Sequence, residues 1–159
     1  MMVHMIDLIL WYFGDVKHIE NLYTDTVLKY RKIEDKIIEA NAEDLVLLKM
    51  EMEKGVRVIC EGDLITPSYM NYIEIHGTNG SIWASILDFF PTIVYCKEPR
   101  GVYDRGCNFF KFPRIDLFEK ELSYFIKCIR NGEKPEINSI EDSIKIMELL
   151  ESIEEDKNG

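Results

Sequence analysis

Two tight turns limit what this chain can fold into more than any other feature. Glu53-Lys54-Gly55 separates Leu45–Met52 from Val56–Glu61, and Gly77-Thr78-Asn79-Gly80 separates Asn71–His76 from Ser81–Trp83. From Leu48 onward the first run alternates apolar and polar residues, as Ile73 and Ile75 do around Glu74, and this is the mark of half-buried strands. Turns this short, built from residues that tolerate positive φ, join neighbouring strands antiparallel. A phosphate loop would need a helix directly after its glycines, and a strand follows Gly80 instead. No G-x-G-x-x-G stretch stands between a strand and a helix anywhere in the 159 residues. The sequence therefore holds no dinucleotide-binding unit of its own.

The other elements follow from periodicity. His4–Phe13 reads as a helix with His4, Asp7, Leu8 and Trp11 on one face and Ile6, Ile9, Leu10 and Phe13 filling most of the rest. A helix apolar nearly all round is expected to be buried. A buried histidine and carboxylate then need partners from elsewhere in the fold. Gly14 suits the left-handed position that ends a helix. Val16–Tyr30, rich in β-branched and aromatic residues, predicts a strand, bent or bulged because its alternation is imperfect. Arg31–Ala42 is charged and reads as a short helix or a loop, with Ile33, Ile37 and Ile38 at helical spacing. Pro91–Cys96 predicts a strand, and Lys97–Lys111, holding Pro99, Gly101 and Gly106, a loop.

Two helices close the chain. The first is capped by Asp116 with Glu119 at N3, carries a core stripe of Phe118, Leu122, Phe125, Ile126 and Ile129, and ends at Asn131-Gly132 before Pro135. The second is capped by Asn138 with Glu141 at N3 and shows Ile140, Ile144, Met147 and Leu150 or Glu151 on its face. The order of elements predicts one α+β domain over residues 1–159: an open, largely antiparallel sheet of about six strands with helices packed on one face.

Charge and cysteines narrow the function. The formal net charge of −10 repels polyanions, so neither nucleic acid nor an anionic membrane is an expected partner. Cys60, Cys96, Cys107 and Cys128 form no C-x-x-C pair, and His4, His18 and His76 lie far apart, so no metal site is expected. The cysteines read as reduced, mostly core residues, and His18 and His76 as strand or turn residues. Trp11 and Trp83 are expected in the core. The N-terminal run lacks a basic n-region, holds Asp7 and is too short to span a bilayer, which points to the cytoplasm.

Three stretches also carry a family resemblance. H-x-x-D-L-x-x-W-x-x-G-D-V over His4–Val16, Ile-Glu-Ile-His-Gly-Thr-Asn-Gly-Ser-Ile over Ile73–Ile82, and Phe118-x-x-Glu121-Leu122-x-x-Phe125-Ile126 through Asn131-Gly132-x-x-Pro135 to Glu141-Asp142-Ser143 resemble the C-terminal domain of the Gfo/Idh/MocA oxidoreductases. That family includes glucose–fructose oxidoreductase and inositol dehydrogenase, and this domain has a dihydrodipicolinate reductase-like fold. The resemblance implies a preceding Rossmann domain that holds NAD(P) and a catalytic lysine. This chain alone would then bind no cofactor. It also implies an Asp-x-x-x-His pair on the first helix. His4 matches the histidine, the acid/base on the substrate hydroxyl, whereas the aspartate would fall one residue before Met1.

Imidazole suits that task because it titrates near neutrality; without the family, His4 would read as tethering the helix start. Asp7 reads as a structural carboxylate or, within the resemblance, as a substrate-side residue. Arg100, Tyr103 and Arg105 have the reach to bind a substrate from the 97–111 loop, which is otherwise a solvated connection. Two functions are open. One is the substrate-binding and oligomerisation half of an NAD(P)-dependent sugar or polyol oxidoreductase, inactive alone, partnered with a separate or missing Rossmann domain. The other is a stand-alone, non-catalytic self-associating or regulatory module. Relatives pair subunits through the open face of the sheet, so a homodimer is expected either way.

Overall fold

The structure is a computed structural model describing residues 2–67, 70–87, 89–113, 115–137 and 139–155. In chain order the elements are α1 (Met2–Phe13), β1 (Val16–Asp25), β2 (Tyr30–Ile33), β3 (Lys36–Glu39), β4 (Leu45–Met52), β5 (Arg57–Asp63), β6 (Ile73–Gly77), β7 (Gly80–Ala84), β8 (Thr92–Cys96), β9 (Gly106–Phe110), α2 (Leu117–Asn131) and α3 (Ile140–Glu155). The chain divides into two units, one of residues 1–67 and 131–159, the other of residues 68–130.

In the first unit β1, β4 and β5 form an antiparallel sheet with β4 in the centre. Its register sets Ile19, Met50 and Val58 in one cross-strand row and Asn21, Leu48 and Cys60 in another. Those rows make the inner face. Leu48, Met50, Met52 and Cys60 are buried there with Ile6 and Ile9 of α1 and Ile146 and Ile153 of α3. Each large side chain so buried stabilises the unit by roughly 1.5–3 kcal/mol. The outer face is charged, with Glu20 paired to Lys49 at 2.7 Å and Lys17 to Glu51 at 3.4 Å. The irregularity expected of β1 is real: its register shifts between Val16 and His18 and again between Asn21 and Tyr23. Gly14 ends α1 at φ +83°, its N–H bonded to the Leu10 carbonyl.

Four expectations change in this unit. First, α1 is one-sided rather than buried all round: Ile6 and Ile9 are buried, while His4 is exposed and Trp11 is 65% exposed. A three-stranded sheet and one neighbouring helix are too narrow to enclose it. Second, residues 31–42 are neither helix nor loop but the β2–β3 hairpin, turned at Glu34, which has φ +55°. Ile33, Ile37 and Ile38, read as helically spaced, are β-branched residues distributed over its two faces. Third, the α3 cap is Ser139, whose hydroxyl accepts from the Asp142 N–H while the Asp142 carboxylate accepts from the Ser139 N–H and hydroxyl. Asn138 lies outside the described residues. Fourth, α3 buries Ile146 and Ile153 and leaves Ile140, Ile144 and Met147 open.

The second unit is a four-stranded antiparallel meander, β6-β7-β8-β9, followed by α2. Gly77 pairs with Gly80 across a two-residue turn of Thr78 and Asn79. None of the four has a positive φ, so the turn does not depend on the freedom that its composition suggested. Gly80 matters for another reason: a Cβ there would overlap the Tyr95 carbonyl on β8. Trp83 and Phe109 share a face of the sheet with Tyr95, and all three are exposed. The expected loop from Lys97 contains β9, which pairs with β8 from Thr92↔Phe110 to Cys96↔Gly106.

Asp116 does cap α2, accepting from the Glu119 N–H at 3.0 Å, and Gly132 at φ +65° follows the helix. The apolar stripe of α2, however, is not core: Phe118 is 83% exposed, and Leu122, Phe125, Ile126 and Ile129 are exposed with it. Spacing tells which residues share a face, not whether anything covers that face. Trp83, like Trp11, is outside the core. Cys60, Cys96 and Cys128 are buried free thiols, as expected, and Cys107 is exposed. The α+β class stands, with every strand pair antiparallel. The nine described strands fall into sheets of three, two and four rather than one sheet of about six.

Candidate functional site

His4 sits on the open side of α1, in its first turns. The start of α1 lies against the far end of β5: the Met2 thioether packs on Gly62 and touches the Cys60 thiol at 3.4 Å. His4 therefore stands at the end of the first sheet where β1 finishes, β4 begins and β5 finishes. Asp7, one turn on, is half-buried, and no hydrogen bond or ion pair reaches it among the described residues. The partners expected for both groups are not needed, because the helix face that carries them is open to solvent. Val3 and Trp11 extend the same exposed side. This surface sets an exposed imidazole beside apolar and aromatic side chains.

Close to that end lies a charged centre that the sequence did not single out. Asp44 is buried in the connection into β4, its side chain 0% exposed. Its carboxylate accepts from the Val27 N–H at 2.7 Å, the Leu28 N–H at 2.9 Å and the Arg31 guanidinium at 3.0 Å. Burial by itself raises the Asp44 pKa. The two backbone donors and Arg31 outweigh it, and the carboxyl is held below its ordinary value. Asp63, at the end of β5, is likewise lowered by the Thr66 hydroxyl and N–H, and it accepts the Ile65 N–H as well. A carboxylate just before an apolar strand, with two backbone N–H groups to be satisfied in a preceding turn, was the signal available in Glu43-Asp44.

Arg100, Tyr103 and Arg105 belong to the second unit and do not share an element with His4 or Asp7. Arg100 and Tyr103 bond to each other's backbone, N–H to carbonyl in both directions, across a turn at Gly101 with φ +61°. The Tyr103 ring stands edge-on to Phe110 with centroids 5.5 Å apart. Arg105 is engaged by Glu98. Asn108 fixes the rest of this loop, accepting from the Asp104 N–H and donating to the carbonyls of Asp104, Gly106 and Val94. Arg100 is exposed, so it and the Tyr103 hydroxyl are the groups here with freedom to meet a ligand.

Other chemistries find no support among the described residues. No cluster of three histidine, cysteine or carboxylate side chains is placed to hold a metal ion. Burial pushes the Cys60 thiol up to about 11, far from a reactive thiolate. No described strand leads through a glycine-rich turn into a helix. No helix of the described residues is long and apolar enough to cross a membrane.

The described elements form an α+β arrangement of antiparallel sheets and helices, with a histidine on the open side of the first helix. Residues 1–83 match the GFO/IDH/MocA C-terminal domain, and the chain belongs to that family. Levoglucosan dehydrogenase in complex with NADH and levoglucosan is similar over 98% of this chain and 46% of its own, at 21% identity and a TM-score of 0.80. An NAD-binding oxidoreductase from Klebsiella pneumoniae is similar over 96% of this chain and 46% of its own, at 17% identity and a TM-score of 0.77. An aldose-aldose oxidoreductase from Caulobacter crescentus, complexed with glycerol, covers 96% and 42% at 14% identity and a TM-score of 0.72. These likenesses concern the fold. The chain thus spans less than half the length of the structures it resembles. No curated protein matches it.

Proposed function

We propose that this chain is the substrate-binding and oligomerisation half of a cytoplasmic NAD(P)-dependent oxidoreductase acting on a sugar or polyol, and that it is not catalytic alone. The observation that carries this reading is the pairing of family membership with an open α1 face that bears His4. The dinucleotide, held by another half, would accept or donate the hydride. The part of this chain is the proton. The His4 imidazole takes it from the substrate hydroxyl during oxidation and returns it during reduction. Asp7, one turn from His4, lies on the substrate side of α1; in the second unit, taken by itself, Arg100 and the Tyr103 hydroxyl are the groups open to a ligand, and Arg105 is held by Glu98. The exposed aromatic face of the second unit, with Trp83, Tyr95 and Phe109, pairs two copies.

That same face supports the second reading, a self-associating module with no chemistry. The test is the intact mass of the native protein from its own source, isolated with any tight partner. A chain longer by about 120–150 residues, one domain's worth, or a co-purifying dinucleotide-binding protein supports the enzyme. His4→Ala should then lower kcat by about 10²–10⁴-fold with little change in KM for the cofactor. An 18.7 kDa chain alone that neither recruits such a partner nor responds to NADH overturns the enzyme reading in favour of the module.

A further inference from the structure

We infer that Asn131-Gly132 is a site of spontaneous deamidation that loosens the end of α2, at the point where the chain passes from the second unit back into the first. The units divide between Arg130 and Asn131. The inference stands whichever of the two functions above holds.

An asparagine followed by glycine is open to attack by its own backbone, because glycine has no Cβ to keep its nitrogen away from the preceding side chain. The sequence has three such pairs: Asn79-Gly80, Asn131-Gly132 and Asn158-Gly159. The last lies outside the described residues. The fold separates the other two. Asn79-Gly80 is locked. The Asn79 carbonyl accepts from the Lys97 N–H at 2.9 Å, and Gly80 is paired with Gly77 on one side and Cys96 on the other. The Tyr95 carbonyl fills the space beside the Gly80 Cα. Turning the Gly80 nitrogen onto the Asn79 side chain would break these contacts.

Asn131-Gly132 is open. Both residues are exposed, Gly132 has φ +65°, and nothing lies within 4 Å of where its Cβ would stand. Asn131 is the last residue of α2, in a terminal turn that frays. Its amide nitrogen donates to the exposed Glu133 carboxylate at 3.2 Å, a contact that rotation of either side chain gives up. In the frayed turn the Gly132 nitrogen loses its proton to solvent base and attacks Cγ of Asn131. The bond from Cγ to that nitrogen forms, the bond from Cγ to Nδ2 breaks, and Nδ2 takes a proton from water and leaves as ammonia. Water then opens the cyclic imide. Attack at Cγ leaves an aspartate; attack at the main-chain carbonyl leaves an isoaspartyl link, whose backbone is longer by one carbon. Either product sets a carboxylate at the negative end of the α2 dipole, close to Glu133.

Peptide mapping by mass spectrometry of the full chain, aged in mild alkali, tests this. Exchange of ammonia for water raises a peptide's mass by about 1 Da. In the folded chain the peptide holding Asn131 should convert about tenfold faster than the one holding Asn79; in urea the two should convert at similar rates, since the fold no longer protects either. Asn131→Gln should stop conversion at that position with the far-UV spectrum unchanged, because the longer side chain closes its ring far more slowly. Amide hydrogen exchange in the last turn of α2 should rise severalfold in the aged wild type and stay constant in the aged Asn131→Gln chain. A folded chain in which Asn79 converts as fast as Asn131, or in which Asn131 stays intact while both convert in urea, overturns the site. Conversion at Asn131 with unchanged exchange in α2 overturns the loosening.

Discussion

Protonation of Asp44 undoes the root of the β2–β3 hairpin, and the direction of the effect follows from its partners. The folded pKa lies below the ordinary value of 3.8 because the Leu28 and Val27 N–H groups and Arg31 outweigh the cost of burial. As pH falls, the unfolded chain takes up the proton first. The stability that Asp44 contributes is complete above about pH 4 and drains away as pH falls through the folded pKa. Asp44→Asn should therefore lower the urea midpoint at pH 7 but lose less than the wild type between pH 5 and pH 3, which denaturation at several pH values will show. Glycines separate on a different ground. Gly80→Ala drives a methyl into the Tyr95 carbonyl and should cost about 2–3 kcal/mol, since backbone cannot yield as a side chain can. Gly55→Ala has open space and only its φ of +78° against it, and should cost about 1–2 kcal/mol by the same urea measurement. Glycine at 55 was legible as a turn residue that needs positive φ. The close approach at Gly80 was not, because it depends on β8, fifteen residues further along. His4 was legible only through its motif, since an exposed histidine leaves no pattern in the hydropathy.

Elements were legible where local chemistry decides them and obscure where a neighbour decides. The caps at Asp116 and the glycine stops after α1 and α2 follow from the residues in place. The hairpin at 30–39 was obscured because three isoleucines fit a helix face and two strands equally well. Burial of α2 was misjudged because amphipathicity records a face that wants covering. That difference can be measured. Leu122→Ala and Phe125→Ala on the open stripe should each change the stability of the chain by less than about 1 kcal/mol, while Leu48→Ala, fully buried in the first unit, should cost about 2–5 kcal/mol. Equal costs would mean that the α2 stripe is covered in solution. At the other helix, Ser139→Ala removes the hydroxyl that accepts from Asp142 and should cost about 1 kcal/mol. Because Ile146 and Ile153 on α3 fill the core, that loss should appear in the main unfolding transition rather than as local fraying.

At the scale of the molecule, the balance of covered and uncovered apolar surface is what the proposed function must explain. The first unit fills one face of its sheet with α1 and α3, yet the far side of α1 presents Val3, Trp11 and Tyr12 to water. Exposed aromatic residues grouped on one helix face mark an interaction surface. His4 lies on that side, so the proposed function expects a second half to cover this face. The chain has two tryptophans, and with Trp83→Phe the emission reports on Trp11 alone. In the isolated chain Trp11 should emit at long wavelength and be readily quenched by acrylamide, as its 65% exposure requires. When the dinucleotide-binding half is joined or added, the emission should shift to the blue and quenching should fall severalfold. On the proposed function, His4→Ala should leave that optical change intact while lowering kcat by about 10²–10⁴-fold. If Trp11 stays equally quenchable in the complete enzyme, the second half does not cover α1, and His4 loses the geometric basis for its assigned role.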